Sequence, residues 1–157
     1  MKTAVFDRVP SVISPTEDNR GVFYYLGTKG YSQKYKNPSL AHEVRCFTST
    51  LYSGRPSMIL DTITEQQNPC MTQNLPMQFV GAILQNKRRL VPTAYAFKNT
   101  DLWQMCSWQL QASNDLKTWV ILDKREFEEE QAGLCCWGIR EDVKEVYPDG
   151  FNSFRIQ

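Results

Sequence analysis

The sequence predicts an all-β protein, an antiparallel β-sandwich of the jelly-roll type with about eight strands. Three observations support this fold class. Short segments rich in β-branched and aromatic residues recur along the chain, turn-forming residues separate them, and no segment has a strong helical repeat of apolar residues. The length of 157 residues, with 41% hydrophobic and 22% charged residues, is ordinary for one soluble globular domain.

The first half of the chain predicts two strands separated by turns and loops. Residues 22–26 are aromatic and β-branched and precede Gly27, so we expect the first strand there. Residues 44–50 have the content of a second strand and lead into a turn at 53–56. Residues 57–64 are compatible with a short helix or a loop. Prolines then predict further loops, because the residue before a proline is pushed out of the helical region.

The second half of the chain predicts more strands and one hairpin. Apolar and polar residues alternate from 107 to 112, the pattern of a half-buried strand. Residues 113–115 have turn-forming side chains, and 119–122 predicts the returning strand. The glutamate-rich stretch 126–130 predicts a charged loop or a helical turn. The remaining predicted strands are 78–84, 90–97, 137–139 and 154–156.

Charge and rare residues exclude several function classes. The formal net charge is +1, whereas a nucleic-acid binder normally has a basic excess. His42 is the single histidine, which argues against most metal sites and most Ser-His or Cys-His nucleophiles. No segment approaches the ~20 apolar residues of a membrane-spanning helix, and Asp7 and Arg8 interrupt the apolar stretch that a secretory signal needs. We therefore expect no metal, no cofactor, no catalytic residue, no nucleic acid and no membrane insertion.

The cysteines indicate a reducing compartment. They are odd in number, two are adjacent, and none forms a C-x-x-C pair. We expect mostly buried, reduced thiols in a cytoplasmic protein, with a secreted, disulfide-bonded domain as the alternative. The five are Cys46, Cys70, Cys106, Cys135 and Cys136.

Residues 108–119, with Trp at both ends and Ser-Asn-Asp between them, are the most specific motif. They resemble the "W-x-L-x-x-S-x-D-G-x-x-W" hairpin of discoidin domains, also called factor V/VIII type C domains, of the galactose-binding-like superfamily. Residues 78–84, 91–95 and 153–156 resemble later strands of that family. Residues 18–28 resemble the "D-E-N-G-x-x-Y-W-I-G-T" of the intracellular discoidin-like module of large HECT-type ubiquitin ligases. The resemblance implies an N-terminal arm at 1–18 and a discoidin-like β-sandwich at 19–157.

The sequence departs from the family pattern in three places. Leu116 stands at the usual turn glycine, and residues 84–86 replace the family's "D-L-G". The sequence stops after the strand at 154–156, whereas family members usually continue to a final strand. The resemblance therefore implies an open sheet edge, which either the N-terminal arm covers or a partner chain completes by adding a strand.

The resemblance implies a non-catalytic intracellular binding module, a scaffold that recognises a protein or peptide through end loops or docks as a subunit of a larger assembly, with a link to ubiquitin ligases. The alternative is a lectin-like domain that binds a glycan, and an enzyme is the third reading. In discoidin relatives, ligands bind loops at one end, here 31–37, 50–55 and 66–74. Aromatic and arginine side chains suit both protein hot spots and sugar stacking, although they can also merely close a loop. The predicted binding residues are Tyr31, Tyr35, Tyr52 and Arg55.

Three further features have a simple structural interpretation and a sharper functional one. Trp108 and Trp119 are expected to pack in the core, with a sugar-stacking platform as the alternative. His42 is expected to be a hydrogen-bonded surface residue rather than a general base. The basic cluster 87–89 is expected to be a solvated hairpin tip, with an anion or acidic-partner contact as the alternative.

Overall fold

The structure is a computed structural model that describes residues 21–61, 69–99, 104–131 and 133–157. Seven strands in two antiparallel sheets form the framework of this part of the chain. The larger sheet has the order β1-β2-β7-β4-β5 and the smaller one pairs β3 with β6. The predicted arm 1–18 and residues 66–68 of a predicted loop lie outside the described residues. The strands are β1 Val44–Thr48, β2 Val80–Leu84, β3 Ala94–Lys98, β4 Met105–Ser113, β5 Val120–Gln131, β6 Leu134–Gly138 and β7 Ser153–Ile156.

The predicted all-β antiparallel sandwich is confirmed. Each strand of the larger sheet pairs antiparallel with its neighbours, and β7 lies in the middle between β2 and β4. Three short helices complete the described elements: α1 Val22–Gly27, a 3-10 helix Pro56–Leu60, and α2 Val143–Val146. The predicted short helix or loop after residue 56 corresponds to the 3-10 helix, and α2 has no counterpart among the predictions.

The predicted first strand at 22–26 is wrong, because these residues form α1. Val22, Phe23 and Leu26 all pack against the core residues of β1 and β2. Residues at positions i, i+1 and i+4 lie on one side of a helix. In a strand, the side chains of Val22 and Phe23 would instead point to opposite faces. Tertiary packing therefore outweighs the strand propensity of the aromatic residues.

The predicted charged loop or helical turn at 126–130 is also wrong, because β5 continues through it beside β4. Phe127 packs against Trp108 and Trp137, while Glu126 and Glu128 are exposed. The segment therefore alternates between inward and outward side chains, as a strand requires. Exposed charges on an edge strand also discourage pairing with another chain.

Two apolar clusters form the core on the inner face of the larger sheet. The first lies between β4, β5, the end of β6 and α2, and the second between β1, β2, α1 and the 3-10 helix. Phe154 of β7 packs against both clusters and joins them. The buried members are Leu110, Ala112, Leu122, Ile139, Val143 and Phe151 in the first, and Leu26, Val44, Leu60, Ala82 and Leu84 in the second.

The two hairpin tryptophans lie on opposite faces of the larger sheet. Trp108 is buried between the sheets, as expected. Ala112 pairs with Val120, so Trp119 comes opposite Ser113 and points to the outer face. There it packs against Phe47 instead of the core between the sheets. The expectation of core packing is therefore wrong for Trp119.

The turn of this hairpin is held by side-chain hydrogen bonds. The hydroxyl of Ser113 accepts from the backbone N–H groups of Asp115 and Leu116, at 3.2 and 2.9 Å. The Asp115 carboxylate accepts from the N–H groups of Lys117 and Thr118, each at 2.8 Å. The Thr118 and Lys117 bonds lower the pKa of Asp115 to about 2. Leu116 takes a left-handed conformation, with φ of 62°.

Replacing Leu116 by glycine is expected to stabilise the protein. A left-handed conformation is strained for a residue with a Cβ and free of strain for glycine, which outweighs the greater freedom of glycine in the unfolded chain. We expect an increase of about 0.5–1 kcal/mol in the free energy of unfolding, measured by urea denaturation. Leu116→Ala is the control, because it removes the leucine side chain but keeps the Cβ. Equal stability of the two variants would contradict the explanation by backbone strain.

Candidate binding surface on the end loops

Two loops leave the same end of the larger sheet. Residues 49–55 follow β1 and residues 69–79 precede β2, and Thr48 pairs with Val80 where these strands meet the loops. Backbone hydrogen bonds join the loops directly. The N–H of Tyr52 donates to the carbonyl of Met71 at 2.8 Å, and the N–H of Met71 donates to that of Ser53 at 3.0 Å. The loops therefore form one surface at this end.

Side-chain hydrogen bonds fix the loops further. The hydroxyls of Ser49 and Thr50 both donate to the side-chain carbonyl of Gln78. The N–H of Gln73 donates to the Thr50 hydroxyl at 3.0 Å, and that of Phe79 to the Ser49 hydroxyl at 2.9 Å. A surface held in this way loses little conformational entropy when a partner binds.

The surface has large exposed apolar side chains and almost no charge. Residues 69–79 contain no charged residue, and Arg55 is the sole charged residue in 49–55. Tyr52 is 72% exposed and Met77 is 73% exposed, and Leu51 and Leu75 are also exposed. Exposed apolar side chains gathered at one place often mark an interaction site. We call these four residues, Leu51, Tyr52, Leu75 and Met77, the loop patch.

An arginine held between aromatic rings lies on the outer face of the sheet beside these loops. The guanidinium of Arg155 is 4.1 Å from the ring centre of Trp119 and 4.6 Å from that of Phe79. Its Nε donates to the side-chain carbonyl of Gln111 at 2.7 Å, and its Nη2 reaches that of Gln157 at 3.4 Å. Burial lowers the pKa of Arg155.

Gln157 connects this cluster to the loop patch. Its side-chain NH2 donates to the carbonyl of Met77 at 3.3 Å, while its side-chain carbonyl accepts from Gln111 at 2.9 Å. Trp119 is the member of this cluster that the sequence singled out, whereas Arg155 and Phe79 were not among the predicted binding residues. The alternation of side chains along β7 predicts that Arg155 lies on the other face of the sheet from Phe154 and Ile156. Nothing in the sequence indicates which aromatic rings would contact it.

Of the predicted binding residues, Tyr31 and Tyr35 lie near α1, ahead of β1. Tyr31 is exposed, and its ring lies 5.4 Å from that of Tyr25, edge to face. Tyr35 is half-buried and stacks on Tyr24 at 5.2 Å, and its hydroxyl donates to the carbonyl of Leu60. A Cβ on Gly27 would lie 2.4 Å from the Tyr35 ring, so this ring covers α1. The structure thus gives Tyr35 a packing role.

The other two predicted residues belong to the loops after β1. Tyr52 is a member of the loop patch, and Arg55 is exposed directly before the 3-10 helix. Tyr52 and Arg55 therefore lie on the surface defined by residues 49–55 and 69–79, whereas residues 31–37 lead to the opposite end of β1. That these residues bind a ligand stays a prediction. Leu75 and Met77 were missed, because the predicted loop ended at residue 74.

An open groove of about 380 Å³ lies beside β1 and the 3-10 helix. His42 is exposed and lines it together with Ser39, whose buried hydroxyl has no hydrogen-bond partner. Cys46 also lines it, and burial together with nearby Cys70 and Asp61 raises the pKa of its thiol to about 12. At neutral pH this thiol is therefore protonated and a poor nucleophile. Cys46, Cys70 and Cys136 are half-buried free thiols, whereas Cys106 is exposed.

Tyr95 is a half-buried ionisable group in a hydrogen-bond network between the two sheets. The Tyr95 hydroxyl donates to Asp123 at 2.6 Å and accepts from the indole N–H of Trp108 at 2.8 Å. Arg125 pairs with the same carboxylate at 2.8 Å. Burial, followed by the bond to Asp123, raises the pKa of Tyr95. These contacts tie β3 to β4 and β5, which is a structural role.

Other features of the described chain also point to no further functional site. In the basic cluster 87–89, Arg88 forms an ion pair with Glu43. No group of three His, Cys, Asp or Glu residues in the described ranges could hold a metal ion. None of the helices found there is long and apolar enough to cross a membrane.

Comparison with known proteins identifies the fold. No protein-family profile and no curated protein matches the chain. Among solved structures, the chain resembles CpGH89CBM32-5 from Clostridium perfringens, solved in complex with GalNAc-beta-1,3-galactose. The TM-score is 0.53 at 8% sequence identity, over 73% of this chain and 83% of the other. This chain shares the β-sandwich fold of that structure.

Proposed function

We propose that this chain is a non-catalytic binding module that recognises a protein or peptide through the loop patch. The observation that carries the proposal is the exposure of four apolar side chains on two loops that hydrogen bonds hold together. Large apolar and aromatic side chains on a fixed surface supply the anchors of protein interfaces. The scarcity of charge on these loops also keeps the cost of desolvation low.

The proposed setting is a larger cytoplasmic assembly. Its support is the sequence resemblance to the discoidin-like modules of HECT-type ubiquitin ligases and the pattern of unpaired cysteines. A module of this kind contributes a docking surface, while the chemistry belongs to other parts of the assembly. Fold similarity alone does not determine the function of a site, so the partner has to be found by experiment.

Glycan binding is the second candidate. The Tyr52 ring is the most exposed aromatic group on the loops, and Arg55 follows it three residues later. An aromatic ring for stacking together with a hydrogen-bond donor suits a sugar. The structural neighbour was solved with the disaccharide GalNAc-beta-1,3-galactose. Leu51, Leu75 and Met77 have no polar group to offer a sugar hydroxyl, so the patch as a whole favours a protein.

Substitutions in the loop patch separate these two candidates. Peptides selected from a displayed library on the intact chain are expected to bind at least about tenfold more weakly to Met77→Asp and Leu75→Asp, because a charge there opposes apolar burial. Tyr52→Ala weakens binding of either ligand class, whereas the two aspartate variants are specific for the apolar contact. The measurements are peptide titration by calorimetry and a glycan array that includes GalNAc-beta-1,3-galactose.

Matched controls come from exposed apolar residues elsewhere. Leu40 is 73% exposed, like Met77, and Val146 is 54% exposed, like Leu75. Leu40→Asp and Val146→Asp are expected to leave peptide affinity unchanged. If the selected peptides bind all four aspartate variants equally well, the loop patch is not the binding surface. Glycan binding that Tyr52→Ala abolishes and Met77→Asp spares would favour the second candidate.

A further inference from the structure

The outer edge of β3 has backbone groups with no hydrogen-bond partner in the part of the chain that the structure describes. The N–H of Ile139 donates to the carbonyl of Thr93 at 2.9 Å, and that of Asn99 to Gly133 at 3.0 Å. In an antiparallel pair, the backbone N–H and C=O groups of residues two apart point to the same side of the strand. The backbone groups of the odd-numbered residues of β3 therefore bond to β6. The backbone N–H and C=O groups of Ala94, Ala96 and Lys98 therefore point away from β6.

These outward groups are accessible. Ala96 and Lys98 are exposed and Ala94 is partly exposed. Across the described ranges, no hydrogen bond from another element reaches the outward backbone groups of the three residues. Within the described ranges the smaller sheet has two strands, so β3 is one of its edges.

The other sheet edges are protected by neighbouring groups. The edge strand β5 carries the exposed charges Lys124, Glu126 and Glu128. The 3-10 helix lies beside β1. On the free side of β6, Arg125 donates to the carbonyl of Gly138 at 3.3 Å. Such charges and coverings are the usual means by which proteins prevent pairing at an edge. β3 has a single charge, Lys98, at its end, and small alanines at its other two outward positions.

We propose that β3 accepts an extended segment of a partner protein as the third strand of the smaller sheet. The occupant is an extended chain because the edge offers donors and acceptors at every second residue, a spacing that only another strand matches. Ala94 and Ala96 on the outer side form no pocket for the side chains of a helix. This surface is separate from the loop patch.

Charge and packing define the chemistry of the segment. Lys98 is the one charged residue of the two paired strands, so an acidic side chain beside it on the outer face is favoured. Tyr95 and Phe97 on β3 are half-buried and alternate with the outward Ala94 and Ala96, so they face the interior. The segment therefore has apolar residues at alternate positions and an acidic residue between them.

Ala96→Pro tests the proposal, because it removes an N–H that points away from β6. Proline is tolerated at an edge position of this kind, so the β3–β6 ladder is expected to remain. The probe is a displayed library of octapeptides in which apolar residues alternate with glutamate or threonine. Binders selected on the intact chain are expected to lose at least about tenfold in affinity for Ala96→Pro. They are expected to slow amide exchange at Ala94, Ala96 and Lys98.

Three further variants keep the result interpretable. Ala96→Thr keeps the N–H and is expected to bind normally, and Lys98→Glu weakens the acidic peptides by charge reversal. Met77→Asp distinguishes this surface from the loop patch, since it should leave these binders unaffected. The proposal is overturned if no selected peptide is sensitive to Ala96→Pro while this variant melts like the natural chain. A dimer of the free chain that Ala96→Pro dissociates also overturns it, because a second copy then occupies the edge.

Discussion

Replacing Gly81 by alanine is expected to destabilise the protein by about 3 kcal/mol or more. A Cβ at this position would lie 2.5 Å from the Phe47 ring and 2.6 Å from the backbone carbonyl oxygen of Phe154. β2 is bonded on both sides, to β1 and to β7, so the carbonyl cannot move away without breaking the sheet.

Gly138→Ala is the matched control for this prediction. Gly138 also lies in a strand, and a Cβ there would have no atom within 4 Å. We expect the control to change the free energy of unfolding by less than about 0.5 kcal/mol. Urea denaturation followed by circular dichroism measures both variants. A Gly81→Ala protein within 1 kcal/mol of the natural chain would show that Phe47 and β7 adjust far more easily than the packing indicates.

Gly81 also has a consequence for the candidate binding surface. Without a side chain at this position, the Phe47 ring can lie across β2 and contact Phe79 and Trp119 at ring distances of 5.9 and 6.2 Å. Phe79 precedes β2 at the base of the loop that carries Leu75 and Met77. The glycine therefore allows the aromatic packing beneath the loop patch.

Local pattern was enough to predict the strands whose faces differ clearly in polarity. Trp108, Leu110 and Ala112 alternate with polar neighbours and form the inner face of β4, as expected. The same reasoning failed at 22–26, where aromatic residues favour a strand locally but the packing of Val22, Phe23 and Leu26 requires a helix. Strand propensity reports fit to a half-buried position within a sheet, whereas the residues of α1 pack on the sheet and form none of its strands.

The candidate site was predictable only in part, because it depends on contacts between distant segments. Tyr52 could be singled out as an aromatic residue in a turn-rich loop. Leu75 and Met77 could not be singled out, because nothing in the sequence indicates that an apolar side chain beside a proline is exposed to solvent. Their position follows from hydrogen bonds between loops about 20 to 30 residues apart, such as the one from Thr50 to Gln78. Contacts of this kind are fixed by sheet register, which the sequence alone leaves open.

Replacing Arg155 by alanine is the second substitution with a large expected effect, a loss of about 3 kcal/mol in the free energy of unfolding. The guanidinium stacks between Trp119 and Phe79, and each cation–π contact is worth about 0.5–1 kcal/mol at a partly exposed site. Its removal also takes a donor from the side chain of Gln111, which is buried. A buried acceptor that loses its donor costs about 1–3 kcal/mol.

Two comparison variants separate the contributions of Arg155. Arg155→Lys keeps the charge but loses the flat face that stacks between two rings, so we expect an intermediate loss of stability. Arg45→Ala removes an exposed arginine of β1 and is expected to change stability little. Urea denaturation gives the free energies, and the near-ultraviolet circular dichroism of the folded variants reports the packing of the aromatic rings. Equal stability of Arg155→Ala and Arg45→Ala would mean that the stacked arginine contributes nothing beyond an exposed one.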